Sequence, residues 1–172
     1  MGYKWILVSG VACPDKWPLD VIYKIPFDLN VFYRDDILSN KISFHNTDSS
    51  GFISELVNLA KDKSDIYVIT AMDAETFGHH IHNWEKLFLA EVYEKIENHR
   101  EIKQRIDLAE THKEVVEAGK AAEVEVVTIS ELLKKIPEKD SKSPRPSSWS
   151  TTKEDIIKKN YYPLWKDRKS VV

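Results

Sequence analysis

Cysteine is nearly absent. Cys13 is the single one in 172 residues, which excludes an internal disulfide framework and suits a reducing, cytoplasmic setting. No run of 18 apolar residues occurs, so neither a spanning helix nor a membrane partner is expected. An excess of one charge sign is missing too. The 25 Lys+Arg nearly balance the 28 Asp+Glu, leaving a net charge of -3, and nothing marks a nucleic-acid or anionic-surface binder. There is no internal repeat of fixed period. The opening residues from Gly2 to Val8 show no signal-peptide cleavage pattern and read as a strand. The low hydrophobicity of disordered chains is also lacking. At 42% hydrophobic and 10% aromatic residues, the chain has the material for one ordinary domain with a sizeable core.

What is present falls into apolar runs separated by breakers. Trp5 to Val11 reads as a short buried strand. Cys13 to Pro26 carries Pro14, Pro18 and Pro26 and is expected as loop or broken helix. Leu29-Asn30-Val31-Phe32-Tyr33 is rich in strand formers and ends in Arg34-Asp35-Asp36. Gly51 to Lys61 spaces Phe52, Leu56, Leu59 and Ala60 as a helix does. Asp65 to Met72 is the strongest strand signal, continuously apolar and β-branched. A helix is then expected through about Asn98, with Trp84, Leu87, Phe88, Val92 and Ile96 on one face and Glu91 interrupting it.

Past that point the texture changes. Residues 97–125 are dense in both charge signs and read as a solvated helix or helical hairpin broken near Gly119. Val124-Glu125-Val126-Val127 alternates like a short strand. Thr128-Ile129-Ser130-Glu131 and Thr151-Thr152-Lys153-Glu154 match helix capping boxes. Pro137 to Ser150 between them, rich in Ser, Pro and Lys, is expected as an extended loop. Strand and helix alternating in this order predict an α/β fold of parallel βαβ units with about three to four strands. A sheet that small has exposed edges, to be covered by the C-terminal helices or completed by another polypeptide.

Ligands of such sheets gather at the carboxyl ends of the parallel strands. Three segments end there: Ser9-Gly10-Val11-Ala12-Cys13, Tyr33-Arg34-Asp35-Asp36, and Met72-Asp73-Ala74-Glu75-Thr76-Phe77-Gly78-His79-His80. The third is the most informative. An acid directly after an apolar strand can be buried enough to raise its pKa toward that of a general acid. Asp73 is equally suited to cap the following helix, and spacing leaves both readings open. If a helix has begun by then, Glu75, His79 and His82 share one face and gain a metal-ligand reading beside the commoner one of surface residues.

The third segment resembles the aspartate-bearing signature of glycoside hydrolase family 57, whose members act on α-glucans and related sugars. Phe32 to Phe44 looks like the strand and loop that precede it in that family. Pro146-Ser147-Ser148-Trp149-Ser150, followed by Tyr162-Pro163-Leu164-Trp165, looks like the entry to the family's helical region. The resemblance implies a partial parallel β/α barrel followed by a helical and loop C-terminal segment. Residues 1–98 would be the second half of the barrel, 99–136 a charged helical region with a short strand, and 137–172 a Ser/Pro-rich loop with a C-terminal helix.

The resemblance makes Asp73 the catalytic acid/base. It makes His79, Glu75, Arg34, Asp35 and Trp149 candidates for substrate binding, and it implies an oligosaccharide or polysaccharide substrate without cofactor or metal. For Arg34 and Asp35 an ion pair ordering the loop is the other reading, and for Trp149 a core or interface anchor.

A retaining glycosidase needs two carboxyl groups about 5–5.5 Å apart. The family's nucleophilic glutamate and its histidine-containing first signature have no counterpart here, and Glu55 falls within a helical pattern. The expectation is therefore the second half of a catalytic barrel, inactive alone, whose first half is lost or supplied by a separate chain. Two further readings remain. One is a metal-dependent carbohydrate hydrolase or deacetylase using Asp73, His79 and His82. The other is a non-catalytic sugar- or partner-binding module that uses an open sheet edge or the Trp5, Trp17 and Trp149 surfaces.

Overall fold

The fold is given by a computed structural model that describes residues 2–15, 19–61, 63, 65–98, 124–148 and 150–163. Trp17, Trp149, Trp165 and the expected charged hairpin around Gly119 lie outside the described residues. The chain divides into two compact units. The first comprises Met1–Ser39, Ile66–Ala71 and Ser130–Val172, the second Asn40–Asp65 and Met72–Ile129.

The first unit is built on a four-stranded sheet in the order β1-β3-β2-β4, with β1 at Trp5–Ser9, β2 at Ile22–Ile25, β3 at Leu29–Arg34 and β4 at Glu138–Asp140. β1 runs parallel to β3 from the pair Trp5 and Asn30 to the pair Ser9 and Arg34. β2 is antiparallel to β3, and β4 is parallel to β2. The sheet is therefore mixed, where the sequence order predicts parallel units throughout. The difference comes from β2, which lies inside the stretch expected as loop. Its prolines do not oppose it, because Pro26 sits in the turn, beyond the ladder positions where an N–H is needed. Ile25 pairs with Leu29, and the tight turn between them holds Phe27 and Asp28 at positive φ, 72° and 60°.

β3 is the central strand, and residues 30–34 are all buried. This is why its sequence runs apolar without strict alternation. Val31 and Tyr33 pack with Ala12, Cys13 and Tyr23 in one cluster, while Phe32 meets Tyr67 edge-to-face at 5.8 Å between ring centres. Burial pushes the Tyr33, Tyr67 and Cys13 protons toward retention.

The strongest expected strand, Asp65 to Met72, joins no ladder: Asp65 is a bend and residues 66–72 are irregular chain. Both edges of β3 are taken, by β1 and β2, and the segment pairs with neither outer strand. The segment is held by single bonds instead. Tyr67 N donates to Leu19 O at 2.8 Å and Asp35 N to Ile69 O at 2.7 Å. Glu138–Asp140, expected as loop, is a short exposed edge strand whose Glu138 takes bonds from Lys24 Nζ and Asn30 Nδ2, both at 3.1 Å. The C-terminal helix Lys153–Ile157 starts one residue later than its expected box. Thr152 caps it, and Asp155 returns the bond to the Thr152 N–H at 2.9 Å.

The boundary between units falls within helix α1, Asp36–Ser43, which stands where the resemblance placed a loop. In the second unit, α2 spans Ser49–Ala60 and is capped by Asp48, whose carboxylate accepts from Gly51 N at 2.7 Å. Residues 84–98 are helical, wound as a π-helix over Glu85–Ala90. Trp84, Phe88 and Val92 form its buried face, and Leu87 is exposed. Trp84 stacks on Phe88 at 4.9 Å, Phe88 meets Phe52 at 5.6 Å, and Trp84 Nε1 donates to Ile42 O at 3.2 Å. The expected strand at Val124–Val127 is irregular chain, with Glu125 and Val126 exposed.

Candidate functional site

Asp73 sits immediately before a single 3-10 turn at Ala74–Thr76. It occupies the capping position with extended backbone, φ -65° and ψ 138°, yet its side chain makes no capping bond. The turn closes through main-chain atoms: Thr76 N donates to Asp73 O and Phe77 N to Ala74 O, both at 3.0 Å. The residue is exposed. The burial expected of it is thus not found, and neither is the capping role that competed with catalysis. What remains is a carboxylate with no hydrogen bond to its own turn.

The helix expected to follow does not begin until residue 84. Gly78, at φ 100°, turns the chain back so that its N–H meets Ile81 O at 3.1 Å. Only a residue without Cβ adopts that angle freely. Glu75, His79 and His82 therefore do not share a helical face. His80, which spacing did not single out, pairs with Glu75 at 3.3 Å between Nε2 and Oε2, with both side chains more than half exposed at 53% and 70%. His79 packs on His80 with ring centres 5.1 Å apart. Among the described residues, no group of three or more His, Cys, Asp or Glu side chains is gathered to hold a metal ion. Asp73, His79 and His82 thus form no ligand set here.

Arg34 and Asp35 lie in the other unit. Arg34 is 4% exposed. Its Nε donates to Ala71 O at 2.6 Å and its Nη1 to Asp36 Oδ1 at 2.9 Å. The ion pair expected within this loop exists, but its acid is Asp36. Asp35 instead caps α1, its Oδ1 accepting from Leu38 N at 2.9 Å. Asp36 is the hub, because its Oδ2 also accepts from Ser9 Oγ at 2.8 Å and from Val11 N at 3.2 Å. Glu55 lies in α2, bound to Lys41 Nζ at 2.7 and 2.8 Å. The carboxyl ends of β1 and β3 are followed by Gly10 and Asp35, with no glutamate at either.

Among the described residues, hollows form within single units. One of about 330 Å³ lies beside Asp15, Tyr23 and Lys139–Lys142 in the first unit. One of about 400 Å³ lies beside Asp65, Tyr93, Glu97 and Val126 in the second. Neither includes Asp73, Glu75 or His79. No helix among the described residues is long and apolar enough to cross a membrane.

A sequence model described as "Glycosyl hydrolase family 57" matches residues 1–143. Neither a curated protein nor a solved structure gives a match.

Proposed function

The chain belongs to glycosyl hydrolase family 57, and on that premise we propose that it carries the acid/base half of a retaining glycosidase site for α-glucans. In this reading Asp73 gives its proton to the glycosidic oxygen as the bond breaks, then takes one from the water that releases the glycosyl group. The observation that carries the assignment is the Asp73 carboxylate: it lies within the matched residues, exposed on extended backbone before a 3-10 turn and spent on no cap. A group that must gain and lose a proton each turnover is hindered by a permanent local donor, since a hydrogen bond to the charged form holds that form.

His79 and the Glu75–His80 pair, close behind in the same loop, supply donors and acceptors for sugar hydroxyls. Trp149 offers a ring for stacking on a sugar face. In this reading the nucleophilic glutamate comes from polypeptide outside these 172 residues, which also completes the cleft around Asp73. The 172 residues alone are, in this reading, inactive or nearly so, because the covalent route needs that glutamate as nucleophile.

The test uses the chain together with polypeptide bearing the remaining barrel strands, assayed on a maltooligosaccharide and on an aryl α-glucoside with an activated leaving group. Asp73→Asn should cut turnover of the maltooligosaccharide by about 10²–10⁴-fold. It should cost far less in kcat/KM on the aryl substrate, whose leaving group needs no proton, while kcat there falls because release of the glycosyl group still needs the base. Azide, a nucleophile that needs no general base, should restore part of the loss on the aryl substrate. Full activity with Asn at position 73 would overturn the assignment.

A further inference from the structure

The polar contacts at the carboxyl edge of the sheet draw together three separate stretches of sequence, and Arg34 stands between them. Residues 66–71 belong to the sheet unit without belonging to its ladder. What fixes their far end is a set of pegs from one short run, residues 34–39. Arg34 Nε donates to the carbonyl of Ala71 at 2.6 Å, Ser39 Oγ accepts the Ala71 N–H at 3.1 Å, and Asp35 N donates to Ile69 O at 2.7 Å. Both polar groups of residue 71 are therefore held by buried side chains, Arg34 at 4% and Ser39 at 0% exposure. The guanidinium is aimed in turn by Asp36, which Ser9 Oγ and Val11 N hold from the end of β1. One residue, Met72, separates the clamped carbonyl from Asp73.

We propose that Arg34 is a positioning residue for Asp73: a buried clamp that sets where the chain leaves the sheet and hence where the acid/base carboxyl stands. This rests on the acid/base reading of Asp73. It assigns Arg34 no contact with sugar, since the side chain is buried and its Nε and Nη1 are engaged by the protein. A guanidinium suits the task because two different nitrogens, set at a fixed angle, serve two different acceptors. A lysine ammonium is a single point on a flexible stem and cannot span both. The clamp also explains how residue 71 is fixed in a segment that has no ladder neighbour. A displacement at this place matters, because catalytic geometry is sensitive to shifts of about 1 Å.

Two measurements on Arg34→Lys test the inference. In the chain by itself, hydrogen exchange should rise by about tenfold or more at Thr76 and Phe77, whose N–H groups close the turn after Asp73. It should stay within about twofold at Tyr23 and Val31 in the ladder. In the completed enzyme, kcat/KM, which reports formation of the glycosyl-enzyme, should fall by about tenfold or more on the maltooligosaccharide and by less than about threefold on the activated aryl substrate, because in that step only the former's leaving group needs the proton.

A purely structural role would lower the active fraction and hurt both substrates alike. Equal losses on the two substrates, or exchange rising equally in ladder and turn, would overturn the proposal. Ser39→Ala, which keeps the charge pair and removes one peg, should show the same signature at smaller size, and serves if the lysine variant does not fold. Should Asp73→Asn show no difference between the substrates, the acid/base reading fails by itself. The exchange measurement then still decides whether Arg34 fixes the turn.

Discussion

Arg34-Asp35-Asp36 and Asp73-Ala74-Glu75 occupy equivalent places in the sequence, each a charged run directly behind an apolar one, and their fates are opposite. In the first, Asp36 accepts from Ser9, Val11 and Arg34, Asp35 caps α1, and Arg34 is buried against a carbonyl. In the second, Asp73 is exposed with no capping bond, and Glu75 meets only an exposed imidazole. An acid after a strand is thus no evidence of chemistry by itself. The number of donors already aimed at it separates a structural carboxylate from one free to exchange a proton.

The largest test of that contrast compares stability. Asp36→Asn removes the carboxylate paired with the buried Arg34 and should cost about 3 kcal/mol in urea unfolding. Asp73→Asn should stay within about 0.5 kcal/mol of the parent. A reversed order would mean that the roles of the two acids have been exchanged.

The glycines beside the two runs give the next test. A Cβ at Gly10 would stand 2.7 Å from Arg34 O and 3.0 Å from Asp36 Oδ2. Gly10→Ala should therefore push the end of β1 off the clamp at about 2 kcal/mol. At Gly78 the space is easier, with Glu85 Oε2 at 3.3 Å, and the φ of 100° is the obstacle. Gly78→Ala should cost about 1 kcal/mol, with faster exchange confined to the turn around Gly78 and Ile81.

The smallest expected effect is on acid stability. The Thr152 hydroxyl and N–H, with Asn160, hold the Asp155 carboxyl below its ordinary range, and Lys24 and Asn30 do the same for Glu138. A depressed folded-state pKa contributes stability that is present above the unfolded value, near 4, and is lost as pH falls through the folded one. Both groups are solvent-facing, so the loss is slight and sits on the acid limb. Carboxyl NMR titration should place both midpoints low, and Thr152→Ala should return that of Asp155 toward normal. An unmoved midpoint would show that the cap does not hold the charge.

Much of this was legible in residue order. β1, β3 and α2 stand where apolar runs and helical spacing place them, and the motif around Asp73 pointed to the family that the match over residues 1–143 establishes. Other features were not legible, for reasons of neighbourhood. Val124–Val127 alternates like a strand but has no ladder, because alternation records a preference for two-sided surroundings and cannot supply a partner strand. β2 was hidden by flanking prolines, of which Pro26 falls in the turn beyond the ladder. The shared face of Glu75, His79 and His82 assumed a helix that Gly78 delays, and the Glu75–His80 pair took its place. Arg34 was visible as a charged strand end, but its target, the carbonyl of Ala71, is a main-chain atom 37 positions away that no side-chain pattern records.

By itself the sequence determined which segments are apolar enough to be buried and which family the chain belongs to, since these depend on residue type and local spacing. Only the tertiary structure decided that β3 would be saturated on both edges, that residues 66–71 would be pegged instead of laddered, and that Asp36 would be spent while Asp73 was not. Those outcomes depend on which donors arrive from distant parts of the chain, and hydrogen bonds act over about 3 Å in space whatever the separation in sequence.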